Sequence, residues 1–167
     1  MNAAQIHLAL NHAPLFLSLV GGILLFFGMI NKNQPVRIYA LYLLVAGAIL
    51  TIPVYLSGEG AEEVVEKFPG FSDATVENHE SMAGISLIII LITGLIALLG
   101  LIAGKRTGFV KWIFLISVIL SVVSAGTIAW TAHLGGLIRH PELENRAAGN
   151  VNDNPDQQTG PGEEHDD

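Results

Sequence analysis

SMAGISLIIILITGLIALLGLIAG, residues 81–104, carries no charged side chain from end to end. At 1.5 Å per residue a helix of about 20 residues crosses a hydrocarbon layer roughly 30 Å thick, so this stretch is long enough to span a bilayer. Three further runs, 13–31, 38–58 and 112–132, are equally free of charge. A spanning segment finds no water to bond its backbone, so each run must be helical. The expected fold is therefore all-α: an integral membrane four-helix bundle occupying 1–141, followed by an acidic, unstructured tail over 142–167.

Composition alone would not have separated this chain from a soluble one. Of 167 residues, 51% are hydrophobic and the mean hydropathy is +0.53, near the apolar fraction of soluble domains. Distribution decides it. The first run could be taken for a signal peptide, but no base precedes it and Lys32 follows it, so it is read as a retained span. Cysteine is absent, which removes disulfides, thiolate metal sites, covalently attached c-type haem and ordinary iron–sulfur ligation.

Charge sets the expected orientation. Lys32 and Arg37 sit between the first two runs, and Lys105, Arg106 and Lys111 between the last two, with no acid among them. Short basic loops stay cytoplasmic, which places both termini and the 59–80 segment outside. Every one of the 15 carboxylates then falls outside, against only Lys67, Arg139 and Arg146. Such a face repels nucleic acid and favours cations or a basic partner. A bacterial inner membrane facing a periplasm suits this partition, with the lipid bilayer as the first partner.

The outer segment has internal order. Ala61 to Phe68 (AEEVVEKF) is amphipathic, Pro69-Gly70 turns the chain, and Ser72 or Asp73 caps a helix that runs into the third span. Pro53 is expected to bend the second span. Pro14 is expected either in the first turn of a helix or at a kink. Gly100-x3-Gly104, Gly21, Gly22, Gly47, Gly84 and Gly126 permit close helix approach.

Histidines gather at the same outer level. His7 and His12 open the first span, His79 precedes the third, and His133 and His140 end the fourth. His12, His79 and His133 are expected near one plane. Five residues turn a helix by about 140°, so His7 and His12 cannot both point inward unless the helix breaks, and His12 is favoured as the inner member. Two imidazoles on facing helices suit haem b, with Gly22, Gly84, Gly126 or Gly135 leaving room for the macrocycle. Three imidazoles with Glu62, Glu63 or Glu80 suit a zinc, iron or copper ion instead. Neither the zinc-protease helix motif nor the di-iron Glu-x-x-His pair is present. Taken singly, each interfacial histidine also has a simple role in capping a helix end or pairing with a nearby acid. Trp112, Trp130, Tyr39 and Tyr55 read as interfacial anchors.

His7-x4-His12-Ala-Pro14, Ser57-Gly-Glu59-Gly-Ala-Glu62-Glu63, His79-Glu80 and Ala132-His133-Leu-Gly-Gly136 through His140-Pro141-Glu142 resemble a bacterial family of small four-helix membrane proteins, domain of unknown function 2231. That family's opening often reads His-Pro-x-x-x-His-Phe-Pro, where this chain has Leu8 and Ala13. The resemblance implies the four-helix fold and, through relatives occurring with cytochrome or Rieske-type partners, respiratory electron transfer. It brings no settled activity.

The leading expectation is a periplasm-facing redox module holding haem b, or else a metal ion, through His12, His79 and His133, with His7 or His140 completing the shell and Glu62, Glu63 and Glu80 orienting imidazoles or taking protons. The competing expectation is a cofactor-free structural or assembly subunit whose acidic outer loop docks a partner. Cation transport is less favoured because the span interiors hold no ionisable residue. No nucleophile-plus-base pair points to hydrolysis.

Overall fold

In the computed structural model, which describes residues 3–67, 72–103 and 108–139, every regular element is helical. In chain order they are α1 (Ala3–Leu10), α2 (Ala13–Ile30), α3 (Gln34–Leu56), α4 (Gly58–Val65), α5 (Asp73–Ala103) and α6 (Val110–Arg139). Four segments are long and apolar enough to cross a membrane, with α1 and α2 together forming the first. The basic loop residues Lys105 and Arg106, His140 and the 142–167 tail lie outside the described residues.

The long helices form a closed ring in which α2 packs on α3, α3 on α5, α5 on α6 and α6 on α2. Leu25, Ala40, Leu41, Leu44, Ala97 and Phe114 fill one half of the interior. Ala48, Ile90 and Ile128 continue it. The outward faces remain apolar: Ile49, Ile88 and Ile102, for example, are exposed, as side chains facing lipid tails should be. Lipid is as apolar as leucine, so close backbone contact and interhelical hydrogen bonds must hold the ring together.

Both devices are present. A Cβ on Gly94 would run into the Ala48 methyl, and one on Gly22 into the Ser121 hydroxyl, so α5 meets α3 and α2 meets α6 at nearly backbone distance. Buried hydroxyls supply the second device. Ser117, Ser121 and Ser124 recur at helical spacing along the inner face of α6. Thr93 Oγ1 and Ser124 Oγ are 2.8 Å apart; Ser86 Oγ and Thr131 Oγ1 are 3.0 Å apart. Such bonds contribute about 0.6–2 kcal/mol each in membranes.

The chain breaks between α1 and α2 for a local reason. Pro14 has no N–H for the carbonyl of Leu10, so the helix cannot continue unchanged and the chain turns at Asn11-His12. Pro14 itself sits in the first turn of α2 and is buried. Pro53, by contrast, is accommodated inside α3.

The α2–α3 hairpin is closed by a Schellman arrangement. Lys32 N–H donates to Met29 O (3.3 Å) and Asn33 N–H to Gly28 O (2.9 Å). Arg37 Nε also donates to Gly28 O, at 2.8 Å, while its guanidinium carbon lies 5.8 Å from the Phe114 ring centroid. Lys32 occupies the left-handed position, φ 53°, where glycine is the usual residue. A Cβ there costs roughly 1 kcal/mol, so Lys32→Gly should raise the free energy of unfolding in mixed detergent micelles by about that amount. An unchanged or lower value would show that the turn carries no such strain.

Candidate functional site

At the end of the bundle away from that hairpin, the start of α1, the last turn of α3, α4, the start of α5 and the end of α6 converge. Two histidines meet main-chain carbonyls here: Val54 O in the last turn of α3, where a helix end leaves carbonyls without intrahelical donors, and Thr131 O, about two turns before the end of α6. His7 Nδ1 donates to Val54 O at 3.0 Å; Ser57 Oγ donates to the same carbonyl at 2.8 Å and lies 3.3 Å from the His7 nitrogen. The α3 C-terminus is thus sealed by one side chain from α1 and one from its own cap.

His79, on the second turn of α5, donates Nδ1–H to Thr131 O of α6 at 2.9 Å. Gly135 makes the approach possible, since a Cβ there would lie 3.1 Å from His79 Cε1. Both rings are half-buried. A carbonyl accepts only, so each Nδ1 must carry the proton, and each Nε2 is then the nitrogen left with a lone pair.

The two imidazoles are close enough to act on each other electrostatically, and Glu80 acts on His79 in the same way. The Glu62 side chain hydrogen-bonds to that of Glu80, with Glu66 and Glu59 near by. Thus α1 and α5 bring the His7–His79 pair, and α4 and α5 bring the Glu62–Glu80 pair, to one end of the bundle.

Other expected site residues are placed apart from this pair. His12 is exposed, with Nδ1 bonded to its neighbour Asn11 Oδ1. His133 is exposed, its ring 5.3 Å from that of Trp130. Glu63 is exposed on α4. The choice of His12 as the inner member is therefore reversed: the turn at Asn11-His12 separates the two histidines, and His7 is the one directed at α3. Among the described residues, no three or more His, Asp or Glu side chains are grouped closely enough to hold a metal ion.

The space beside the glycines bears on whether a large group could fit. Ser121 fills the position beside Gly22, and the His79 ring fills that beside Gly135. A macrocycle therefore has no place at either point inside the bundle and would have to sit at its rim. Beside Gly84 the nearest atom is Tyr55 Oη, 3.9 Å from where a Cβ would stand. Sequence reasoning missed Ser57, Thr131 and Tyr55 as participants. Ser57 acts through helix-end geometry and Thr131 through its main-chain carbonyl, neither of which residue type alone announces.

Comparison of the chain with protein-family models, with curated proteins and with solved structures finds no match.

Proposed function

We propose that this chain is a multi-pass membrane redox module that holds haem b at the periplasm-facing end of its bundle through His7 and His79. The observation that carries this reading is the shared anchoring of the two rings. Each uses Nδ1 on a main-chain carbonyl, 3.0 Å for His7 and 2.9 Å for His79, and so keeps Nε2 as a fixed lone-pair donor. Metal-ligating histidines are oriented in this manner by their outer-shell partners.

The number of donors favours haem over a bare ion. A zinc, iron or copper site draws three or four ligands from the protein, whereas haem brings four nitrogens of its own and asks only for axial ones. Among the described residues, no third His, Asp or Glu is grouped with the two imidazoles closely enough to complete an ion site, so the pair matches the second demand. Bound haem would supply one-electron chemistry. The Glu62–Glu80 carboxyls, next to His79, would take up and release protons at the water-facing rim. The orientation rests on the bases at the opposite end, Lys32 in the α2–α3 turn and Arg37 and Lys111 in the first turns of α3 and α6. An outer-face respiratory or cytochrome partner fits the acidic surface.

The second reading is a cofactor-free assembly subunit, favoured by the way His7 and His79 already fasten α1 to α3 and α5 to α6 through main-chain carbonyls. An absorption spectrum of the purified full chain, with elemental analysis, separates the two. A Soret band with low-spin bis-imidazole character is the expected result. Metal without a Soret band would replace haem by an ion, and neither signal would leave the assembly reading standing.

A further inference from the structure

Along the α5–α6 seam, hydroxyls meet at regular steps. Ser86 Oγ and Thr131 Oγ1 are 3.0 Å apart, and Thr93 Oγ1 and Ser124 Oγ are 2.8 Å apart. The steps are equal on both helices, from 86 to 93 on α5 and from 131 back to 124 on the antiparallel α6. One more such step toward the α2–α3 hairpin, about 10 Å of helix, brings Gly100 opposite Ser117. Glycine has no hydroxyl to offer. Ser117 Oγ, fully buried, finds no hydrogen-bond partner among the described residues. It is one side of a third rung whose other side is missing.

A buried hydroxyl without a partner is costly. Ser121, one turn on, meets Val118 O of its own helix at 2.7 Å; Ser117 makes no such bond. The inner half of the bundle, that of the hairpin, is otherwise filled by Leu25, Leu41, Ala97 and Phe114. Lipid tails compete for apolar contacts of this kind on nearly equal terms. Arg37 lies over the Phe114 ring, which joins α6 to α3 and not to α5. The outer half is held by more: both formed rungs, Thr93 Oγ1 on Leu120 O at 3.4 Å and His79 Nδ1 on Thr131 O at 2.9 Å. Polar cohesion between α5 and α6 therefore falls from the outer end to the inner one.

We propose that this seam is a one-ended latch: the outer halves of α5 and α6 stay fastened while the inner halves part and admit water from the basic end as far as Ser117. Water then gives Ser117 the partner that Gly100 withholds, so the open form satisfies a hydroxyl that the closed form leaves bare. The latch belongs to the bundle itself and requires no haem.

The chain has no cysteine, so single introduced thiols report water access without background. Ala97 lies between the second rung and the empty place, Ala125 between the two formed rungs, and both are buried. In nanodiscs, which keep both faces in water, a charged methanethiosulfonate reagent should modify Ala97→Cys at least tenfold faster than Ala125→Cys. Gly100→Ser supplies the absent hydroxyl; the nearest atoms to its Cβ are the side-chain ends of Ile113 and Leu41, at 3.2 Å, which can yield. Combined with Ala97→Cys it should slow labelling about fivefold, as one interhelical hydroxyl pair would. Gly100→Ala adds the carbon without the hydroxyl and should leave the rate within about twofold. Equal rates at the two cysteines, fast or slow, would overturn the latch, and so would equal effects of Gly100→Ser and Gly100→Ala. Amide hydrogen exchange of the unsubstituted chain reads the same device with no variant: peptides over 112–120 should exchange before those over 124–131, and the reverse order would overturn it.

Discussion

Gly94→Ala should destabilise the bundle by about 2 kcal/mol, although alanine is the better helix former. Two terms compete. Replacing glycine by alanine within a helix contributes up to about 1 kcal/mol of stability. Against it stands the collision of the new Cβ with the Ala48 methyl. Both carbons are fixed to backbone, so no rotamer change relieves the overlap and α3 must move away from α5. Overpacking of this kind costs roughly 1–3 kcal/mol, and here it opens the contact that closes the floor of the α3–α5 seam. The cost is specific to one pair. Ala48→Gly in the same chain removes the opposing methyl and should recover most of the loss, giving a coupling energy of about 1 kcal/mol or more in a double-mutant cycle. Gly126→Ala is the internal control, because nothing stands within 4 Å of its Cβ position and only the helix-forming gain remains. Unfolding by sodium dodecyl sulfate titration reads the four proteins of the cycle and the control. A Gly94→Ala protein as stable as the parent would mean that the two helices do not approach as closely as described.

The bundle was legible because it depends on the absence of something. Four charge-free runs cover most of α2, α3, α5 and α6, and neither membrane nor helix leaves those runs another solution. Asp73 as the start of a helix continuing through His79 into the third span was also legible, since nothing in DATVENHE interrupts it. The inner face was less so. Ser117, Ser121, Ser124, Thr127 and Thr131 stand at helical spacing in plain view, yet hydroxyls carry no charge and a search for ionisable groups passes over them. Ser124 pairs with Thr93 and Thr131 with Ser86 on α5, a relation between distant segments, while Ser121 bonds Val118 O within α6.

The histidines show the limit most clearly. That His7 and His79 meet at one end of the bundle followed from counting residues; the directions of the rings did not. A phase of 100° per residue holds only within one helix, and Pro14 resets it between His7 and His12. Gly135 was read as space for a cofactor when its space is taken by His79. A glycine marks close approach, but one sequence does not say what approaches.

The redistribution of roles among the histidines gives the sharper functional expectation. If haem is held as proposed, His7→Ala and His79→Ala should each lower its affinity by more than about a hundredfold, beyond the roughly 10–100-fold loss typical of an outer-shell change, and abolish the low-spin spectrum. His12→Ala and His133→Ala should stay within about twofold of the parent, because both rings are exposed and bonded only to a neighbour or stacked on Trp130. The structural role of His79 must be separated from ligation, since its removal leaves a gap beside Gly135 and takes a donor from Thr131 O. His79→Gln keeps a hydrogen-bond donor of similar reach but offers no imidazole lone pair. A protein with that change should unfold close to the parent midpoint and still lack the low-spin bis-imidazole spectrum. Should it keep that spectrum, His79 only fastens α5 to α6 and the ligand lies elsewhere. Should His12→Ala and His133→Ala lose the spectrum while His7→Ala retains it, the outer rings fold inward to meet the group, and the pair that faces the bundle only closes its end.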